Sequence, residues 1–481
     1  GAPVEQLALT DPKDVVIYGK RVASVQPANS PAPDGEVIID GEGGTLVPGM
    51  YEMHGHLGQG NALLNIAAGV TSVRDMGNEN AVLEDLMRRI DAGIIAGPRI
   101  TRSCFIEGES EFSAATGETV STLEEALALV RWCASRDFHQ AKFYNSMKPE
   151  WAETLVAEAH RLGLRVAGHV PAFSTANDMI EVGFDEITHA NQLMLGWVLE
   201  DGEDTRTLFR FTAMKRFPAL DANGEDVRYT INRMKERNVA HDPTIAIHEL
   251  GLTAVNGQPA PMARDIIDHL PTNEQRSLKQ ELFGTESPEE RAEYVAAFDF
   301  ILDILARLHS EGVLLLPGTD LGGSFAYHRE LMAMAHAGIP PADVLKAATI
   351  NGARALGVAV RDVGWAGRRV VIALGITQLL PALELTARLA LRRENAAAFR
   401  SHPEDRTRTS GPPDRRFEPA PPPSGGAGRP PRGPDRARSP PWRAAPQARR
   451  PSPRPRPGRR SFPEPHPAGR RRPGSAGESR G

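Results

Sequence analysis

Apolar and polar positions divide the chain into three textures. Residues 13–47 hold short β-rich runs cut by turns: DVVIYGKRVASV, the loop PANSPAPDG, then EVIIDGEGGTLVPG. Branched residues bounded by Gly and Pro predict short strands of a small sheet. From residue 48, apolar runs alternate with amphipathic stretches of helical period. GMYEMHGHL, TSVRDMG, PRITRSCF, QAKFYNS, LRVAGHV, EITHANQ, VAHDPTIAI and VLLLPGTDL are the strand candidates. Helices are expected near 60–69, 79–95, 121–136, 149–162, 173–182, 327–337 and 340–356. Eight strands, most followed by a helix, are what a parallel (β/α)8 TIM-like barrel requires. Two charged, irregular stretches, 196–238 and 247–300, follow strands. They lie on the face where a barrel carries its active site, so they are lid or pocket candidates.

The third texture begins near residue 361. Lys and Tyr do not occur from 361 to 481, and Arg, Pro, Gly, Ala and Ser dominate, as in PSPRPRPGRRSF. Such a segment buries too little apolar surface to offset its chain entropy, so a disordered Arg/Pro-rich tail is expected. The organisation read from these textures is 1–47 as part of a small β domain, 48–360 as the barrel and 361–481 as an atypical tail. A tail of this composition is also what a shifted reading frame in a GC-rich gene produces.

Composition adds a charge asymmetry. The net charge of -5 averages an excess of roughly twenty acidic charges before residue 361 and roughly fifteen basic ones after it. A basic tail that touches nucleic acid is one reading; no nucleic-acid partner is the preferred expectation. Two cysteines, Cys104 and Cys133, are too few for a disulfide framework and read as small buried hydrophobes. No apolar run is long enough for a membrane span. The chain opens with Gly-Ala, read as a trimmed N-terminus, which leaves a cytoplasmic and an exported location both open.

Within the barrel texture, titratable residues fall at strand ends. His54 and His56 flank Gly55 at the end of the first barrel strand. Residues i and i+2 of a strand share a face, so both imidazoles can reach one metal ion. Alone, His-x-His is equally two polar residues in a loop. Lys142 ends the fourth strand, where a charged, unpaired lysine is costly; a snorkelling or ion-paired lysine is the plainer alternative. Tyr144 shares its face and is either a donor to a substrate carbonyl or a packed aromatic. His169 and His189 end the fifth and sixth strands, and Asp320 the eighth. Each histidine alone is more often structural than a ligand, and the aspartate alone is as readily a capping or turn residue. His139, His160 and His241 read as structural, and no role is assigned to Asp242-Pro243-Thr244.

Taken together, PGMYEMHGHL resembles the PG-hydrophobic-hydrophobic-D-x-H-x-H opening of the amidohydrolase superfamily, with Glu52 where Asp is common. TSVRDMG matches the strand that follows it, AKFYNS resembles the fourth strand of prolidase-like and carboxypeptidase-like members, and AATINGARALG matches the helix after the eighth strand. The resemblance covers about residues 13–358. It implies a binuclear, metal-dependent hydrolase of the prolidase-like, zinc carboxypeptidase-like or imidazolonepropionase-like branch.

The resemblance further implies two divalent metal ions, Zn2+ being the expected one, bridged by a CO2-derived carbamate on Lys142. His54 and His56 would hold the more buried ion, His169 and His189 the second, and Asp320 would contact metal and act as general base. Tyr144 would polarise the carbonyl. His328 or Arg329 would bind a substrate carboxylate, Arg by its bidentate geometry. The implied reaction is cleavage of an amide or peptide bond, in a dipeptide, a C-terminal residue or an N-acyl amino acid, by attack of a metal-bridging hydroxide. The lysine separates this reading from the superfamily's mononuclear deaminases, although a deaminase or cyclic-amide hydrolase is the alternative, and an inactive frame-shifted product is another. The implied partner is a small-molecule substrate, with a homo-oligomer as a further expectation. In the family the chain then returns to the N-terminal sheet; VAVRDVGWAGRRVVIALG does not match that return, so the β-sandwich is expected to be incomplete and its edges unpaired.

Overall fold

The computed structural model describes residues 11–18, 21–31, 38–41, 44–264, 266–270, 272–282 and 284–357. The expected tail and the expected break in the small domain lie outside the described residues.

The N-terminal texture forms an antiparallel hairpin of β1 (Lys13–Tyr18) and β2 (Arg21–Pro27). It is a two-stranded sheet, and Tyr18 and Val25 are exposed on it.

The barrel strands are β3 (Met50–Gly55), β4 (Val70–Asp75), β5 (Arg99–Gly108), β7 (Gln140–Phe143), β8 (Arg165–Gly168), β9 (Glu186–Thr188) and β10 (Ala240–Asp242). They pair in parallel in the order β10-β9-β8-β7-β5-β4-β3. A short strand that the sequence does not announce, β6 (Glu118–Val120), adds to the end of β5.

The eighth expected strand closes the ring without being a regular strand. Leu316 N donates to His241 O (2.9 Å), His241 N to Leu314 O (2.9 Å), Met53 N to Pro317 O (3.0 Å) and Asp320 N to His54 O (2.9 Å). Residues 314–320 therefore bond β10 on one side and β3 on the other. The approach requires Gly318: a Cβ there would lie 2.5 Å from the backbone N of His54 and 2.8 Å from Asp242 Oδ1. Asn351, in the AATINGARALG helix, donates its Nδ2 to Leu315 O (3.0 Å) and fastens the segment from outside.

Helices Gln59–Ala67, Asn80–Asp91, Leu123–Ala134, Ala152–Arg161 and Ala176–Val182 follow their strands as expected. Two of them start with capping chemistry: Thr122 accepts from Glu125 N, and Thr175 with Asp178 forms a capping box. The two stretches expected to be irregular are partly regular. Residues Glu225–Arg237 form a helix that buries Val227, Thr230, Ile231 and Met234 on one face. Residues Pro288–Ser310 form a long helix that buries Tyr294, Ala297, Phe298, Ile301, Leu305 and Leu308. Both are barrel helices whose outward charges masked the apolar spacing. Ahead of these two helices lie shorter ones, Ala190–Met194 after β9 and Ile245–Thr253 after β10.

The cysteines correct a second expectation. Both are buried, but Cys104 on β5 and Cys133 on the following helix form a disulfide with a Cα–Cα distance of 5.9 Å. Two cysteines make no framework, yet a strand and the helix that packs against it bring them within bonding reach.

Candidate metal centre

A cavity of about 390 Å3 opens at the C-terminal ends of the strands, lined by His56, Lys142, Tyr144, His169, His189 and Asp320 among others. His54 lies buried beside it. The structure brings every expected metal ligand to this one place. His54 and His189 have ring centroids 4.6 Å apart, and His169 and His189 4.5 Å. Asp320 Oδ1 lies 2.8 Å from His56 Nε2 and 3.5 Å from His54 Nε2, and Lys142 Nζ lies 3.2 Å from His54 Nε2. Suitable ligand atoms of His54, His56 and Asp320 lie within 4.8 Å of one another.

Strand geometry explains the convergence. His54 sits in β3 and His56 just beyond it, so they share a side. His169 follows Gly168, where φ is +141° and a Cβ would lie 2.2 Å from Phe143 O; glycine lets β8 bend against β7 and deliver the imidazole. His189 (φ +64°) and Asp320 (φ +57°) hold left-handed backbone that is unfavourable for residues with a Cβ. Such conformations persist where the surroundings over-determine them, and functional sites are enriched in them.

Each of the four imidazoles has its Nδ1 engaged. His54 Nδ1 lies 2.6 Å from Asp242 Oδ2, and His56 Nδ1 lies 2.6 Å from Gly77 O. His169 Nδ1 bonds Asn145 Oδ1, and His189 Nδ1 lies 2.8 Å from Thr244 Oγ1. The partners of His54, His56 and His169 are acceptors, so Nδ1 donates; Nε2 of His54 and His169 keeps its lone pair, while Nε2 of His56 faces the Asp320 carboxylate. Burial above all, with Lys142 adding to it, holds His54, His169 and His189 well below the ordinary imidazole value. They are neutral, the form that ligates metal. His56 goes the other way: burial opposes its protonation, but Asp320 outweighs that and raises it.

Lys142 is buried, which pulls its amine down to about 8. Burial also opposes ionisation of Asp320, but His56, His189 and Lys142 outweigh it and hold the carboxyl well below its usual range. Tyr144 stacks on His169 at a centroid distance of 3.9 Å, and burial pushes its hydroxyl up to about 12. That hydroxyl makes no hydrogen bond among the described residues and stays a donor at neutral pH. The donor set of neutral imidazoles, a carboxylate and a low-pKa lysine fits divalent metal.

Two expected substrate-binding residues lie elsewhere. His328 Nε2 lies 2.7 Å from Ala68 O, and Arg329 makes a two-pronged ion pair with Glu249, its Nε 2.7 Å from Oε2. Neither lines the cavity. His139, His160 and His241 stand outside the site as expected, His241 bonding Ile187 O (3.0 Å). The sequence reading missed the partners of the ligands: Asp242, Asn145, Thr244 and the buried Glu52. Glu52 Oε1 accepts from His54 N and Thr319 N, both at 2.9 Å, tying β3 to the closing segment. The faint signal for Asp242 and Thr244 was a polar pair directly after an apolar strand.

A family model described as the amidohydrolase family matches residues 45–364. No curated protein matches the sequence. Among solved structures, bottromycin amidohydrolase superposes with a TM-score of 0.53 at 21% identity, covering 73% of this chain and 75% of that one. An amidohydrolase structure superposes with a TM-score of 0.50 at 17% identity, covering 77% and 87%. A Xaa-Pro dipeptidase with bound methionine in its active site gives a TM-score of 0.49 at 19% identity, covering 72% and 84%.

Proposed function

Because the chain belongs to the amidohydrolase family and is a hydrolase of C–N bonds, we propose that it cleaves the amide or peptide bond of a dipeptide, a C-terminal residue or an N-acyl amino acid. The observation that carries this reading is the convergence of His54, His56, Lys142, His169, His189 and Asp320 on one cavity, with every imidazole Nδ1 already engaged. Two divalent ions, Zn2+ the expected kind, would be held by those six residues, Lys142 as its carbamate. When bound, such ions supply Lewis-acid polarisation of the scissile carbonyl and acidify water towards neutrality.

The chain's own residues do the rest. Lys142, with its amine near 8, is free base in about one molecule in ten at pH 7, against about one in three thousand for an unperturbed lysine. Only the free amine captures CO2, so burial makes carbamate formation practicable. Asp320, held as a carboxylate beside His56, would accept a proton from the attacking water and return it to the leaving nitrogen. Tyr144 presents its hydroxyl to the cavity as a donor to the carbonyl oxygen.

The test is a screen of dipeptides and N-acyl amino acids with two readouts, free amino acid and ammonia. Release of amino acid without ammonia is the expected result. Ammonia as the main product would replace this reading with that of a deaminase.

A further inference from the structure

A buried polar assembly is centred on Arg74, and it reaches His54 beside the cavity through Asp242. All five guanidinium donors are engaged: Nε to Met53 O (2.7 Å), Nη1 to Gln140 Oε1 (3.2 Å) and Glu186 Oε2 (2.6 Å), Nη2 to Glu186 Oε1 (2.5 Å) and Asp242 Oδ2 (3.4 Å). Arg74, Glu186, Asp242 and His54 are each at most 1% exposed. The assembly ties β3, β4, β7, β9 and β10 together, and so fixes the Asp242 oxygen that meets His54 Nδ1.

This partner differs in kind from the other three. His56, His169 and His189 place Nδ1 against a backbone carbonyl, an amide and a hydroxyl, all neutral. Among the described residues only His54 has an aspartate or glutamate carboxyl on its Nδ1 within hydrogen-bond distance; burial pushes that carboxyl well above its ordinary value, and Arg74 beside it draws it back. A carboxylate behind an imidazole fixes its tautomer and raises the basicity of the other ring nitrogen, and losing such a partner costs roughly 10–100-fold in metal affinity.

We propose that Asp242, anchored by Arg74, is a positioning residue for His54, and that it makes the metal position built on His54 and His56 the tighter of two unequal positions. The inference rests on the two-ion reading above and deepens it. Thr244, behind His189, is the corresponding but weaker support of the second position.

The experiment is a Zn2+ titration of the full chain, stripped by chelator and supplied with bicarbonate, for wild type, Asp242→Asn and Thr244→Val. Both variants are close to isosteric, and the melting midpoint of each metal-free protein is recorded beside the titration. Wild type is expected to take up zinc in two steps of different affinity. Asp242→Asn is expected to weaken the tighter step by roughly 10–100-fold and leave the weaker one within about twofold; Thr244→Val is expected to do the reverse. Should Asp242→Asn not fold, Thr244→Val alone decides, because it must spare the tighter step. An unchanged tighter step in folded Asp242→Asn overturns the inference. So does an equal weakening of both steps accompanied by a lower metal-free midpoint, which marks a packing role. Wild type that takes up no zinc overturns the two-ion reading itself.

Discussion

At the residue scale, the convergence of the candidate ligands was legible because each sits at the end of a strand or of the closing segment, where backbone geometry restricts which way a side chain points. His54, His56, Lys142, His169, His189 and Asp320 all reach the cavity region from such positions. Their supporters were not legible. Asp242 meets His54 across 188 residues of chain, a pairing that only barrel closure creates. Arg329 misled for the same reason: its geometry suits a carboxylate, and the structure supplies Glu249. Two outcomes are expected here. Tyr144→Phe removes a donor that has no partner among the described residues, so kcat should fall by roughly 100-fold while metal content stays at the wild-type value, as read by steady-state kinetics and metal analysis. Lys142 gives a pH signature in metal-free protein. Its folded value of about 8 lies below the 10.5 of an unperturbed lysine in the unfolded chain, so between them the unfolded chain holds the extra proton. Stability should therefore rise with pH across that window, with the full penalty present below about 8. The difference in melting midpoint between wild type and Lys142→Met, followed from about pH 7 to about pH 10, should shrink; a difference that stays constant would refute the assignment.

At the element scale, apolar period found the strands and the helices that follow them. It failed where charge covered the outer face, as in Glu225–Arg237, and where pairing did not leave a regular strand, as in residues 314–320. The disulfide was illegible because Cys104 and Cys133, 29 residues apart, become neighbours only when their helix docks on β5. A crosslink closing a loop of that length limits the unfolded chain by about 3–4 kcal/mol in the chain-entropy account. The double substitution of both cysteines by Ala should lower the thermal midpoint by several degrees and leave metal content unchanged. A loss of metal would show instead that the bond shapes the site through β5, which also carries Phe105 of the cavity wall.

At the scale of the whole molecule, the parallel order of strands and the closing segment 314–320 complete the barrel with all six candidate ligands inside residues 54–320. The fold class could be read because a doubly periodic pattern of strand and helix admits few closed solutions. The extent of the small domain could not, since a two-stranded hairpin with exposed Tyr18 and Val25 says little about what else belongs to its sheet. A chain ended after residue 364 is expected to keep the metal content and thermal midpoint of the full chain; loss of either would give the remaining residues a part in the fold.

The most direct test of the central claim is metal content per chain, in protein purified without chelator and with bicarbonate present, for wild type and Lys142→Ala. About two equivalents of zinc in wild type and one or fewer in the variant are the expected result for a lysine-bridged binuclear site. Near-zero metal in soluble, cooperatively folding wild type, or two equivalents retained without Lys142, would contradict it.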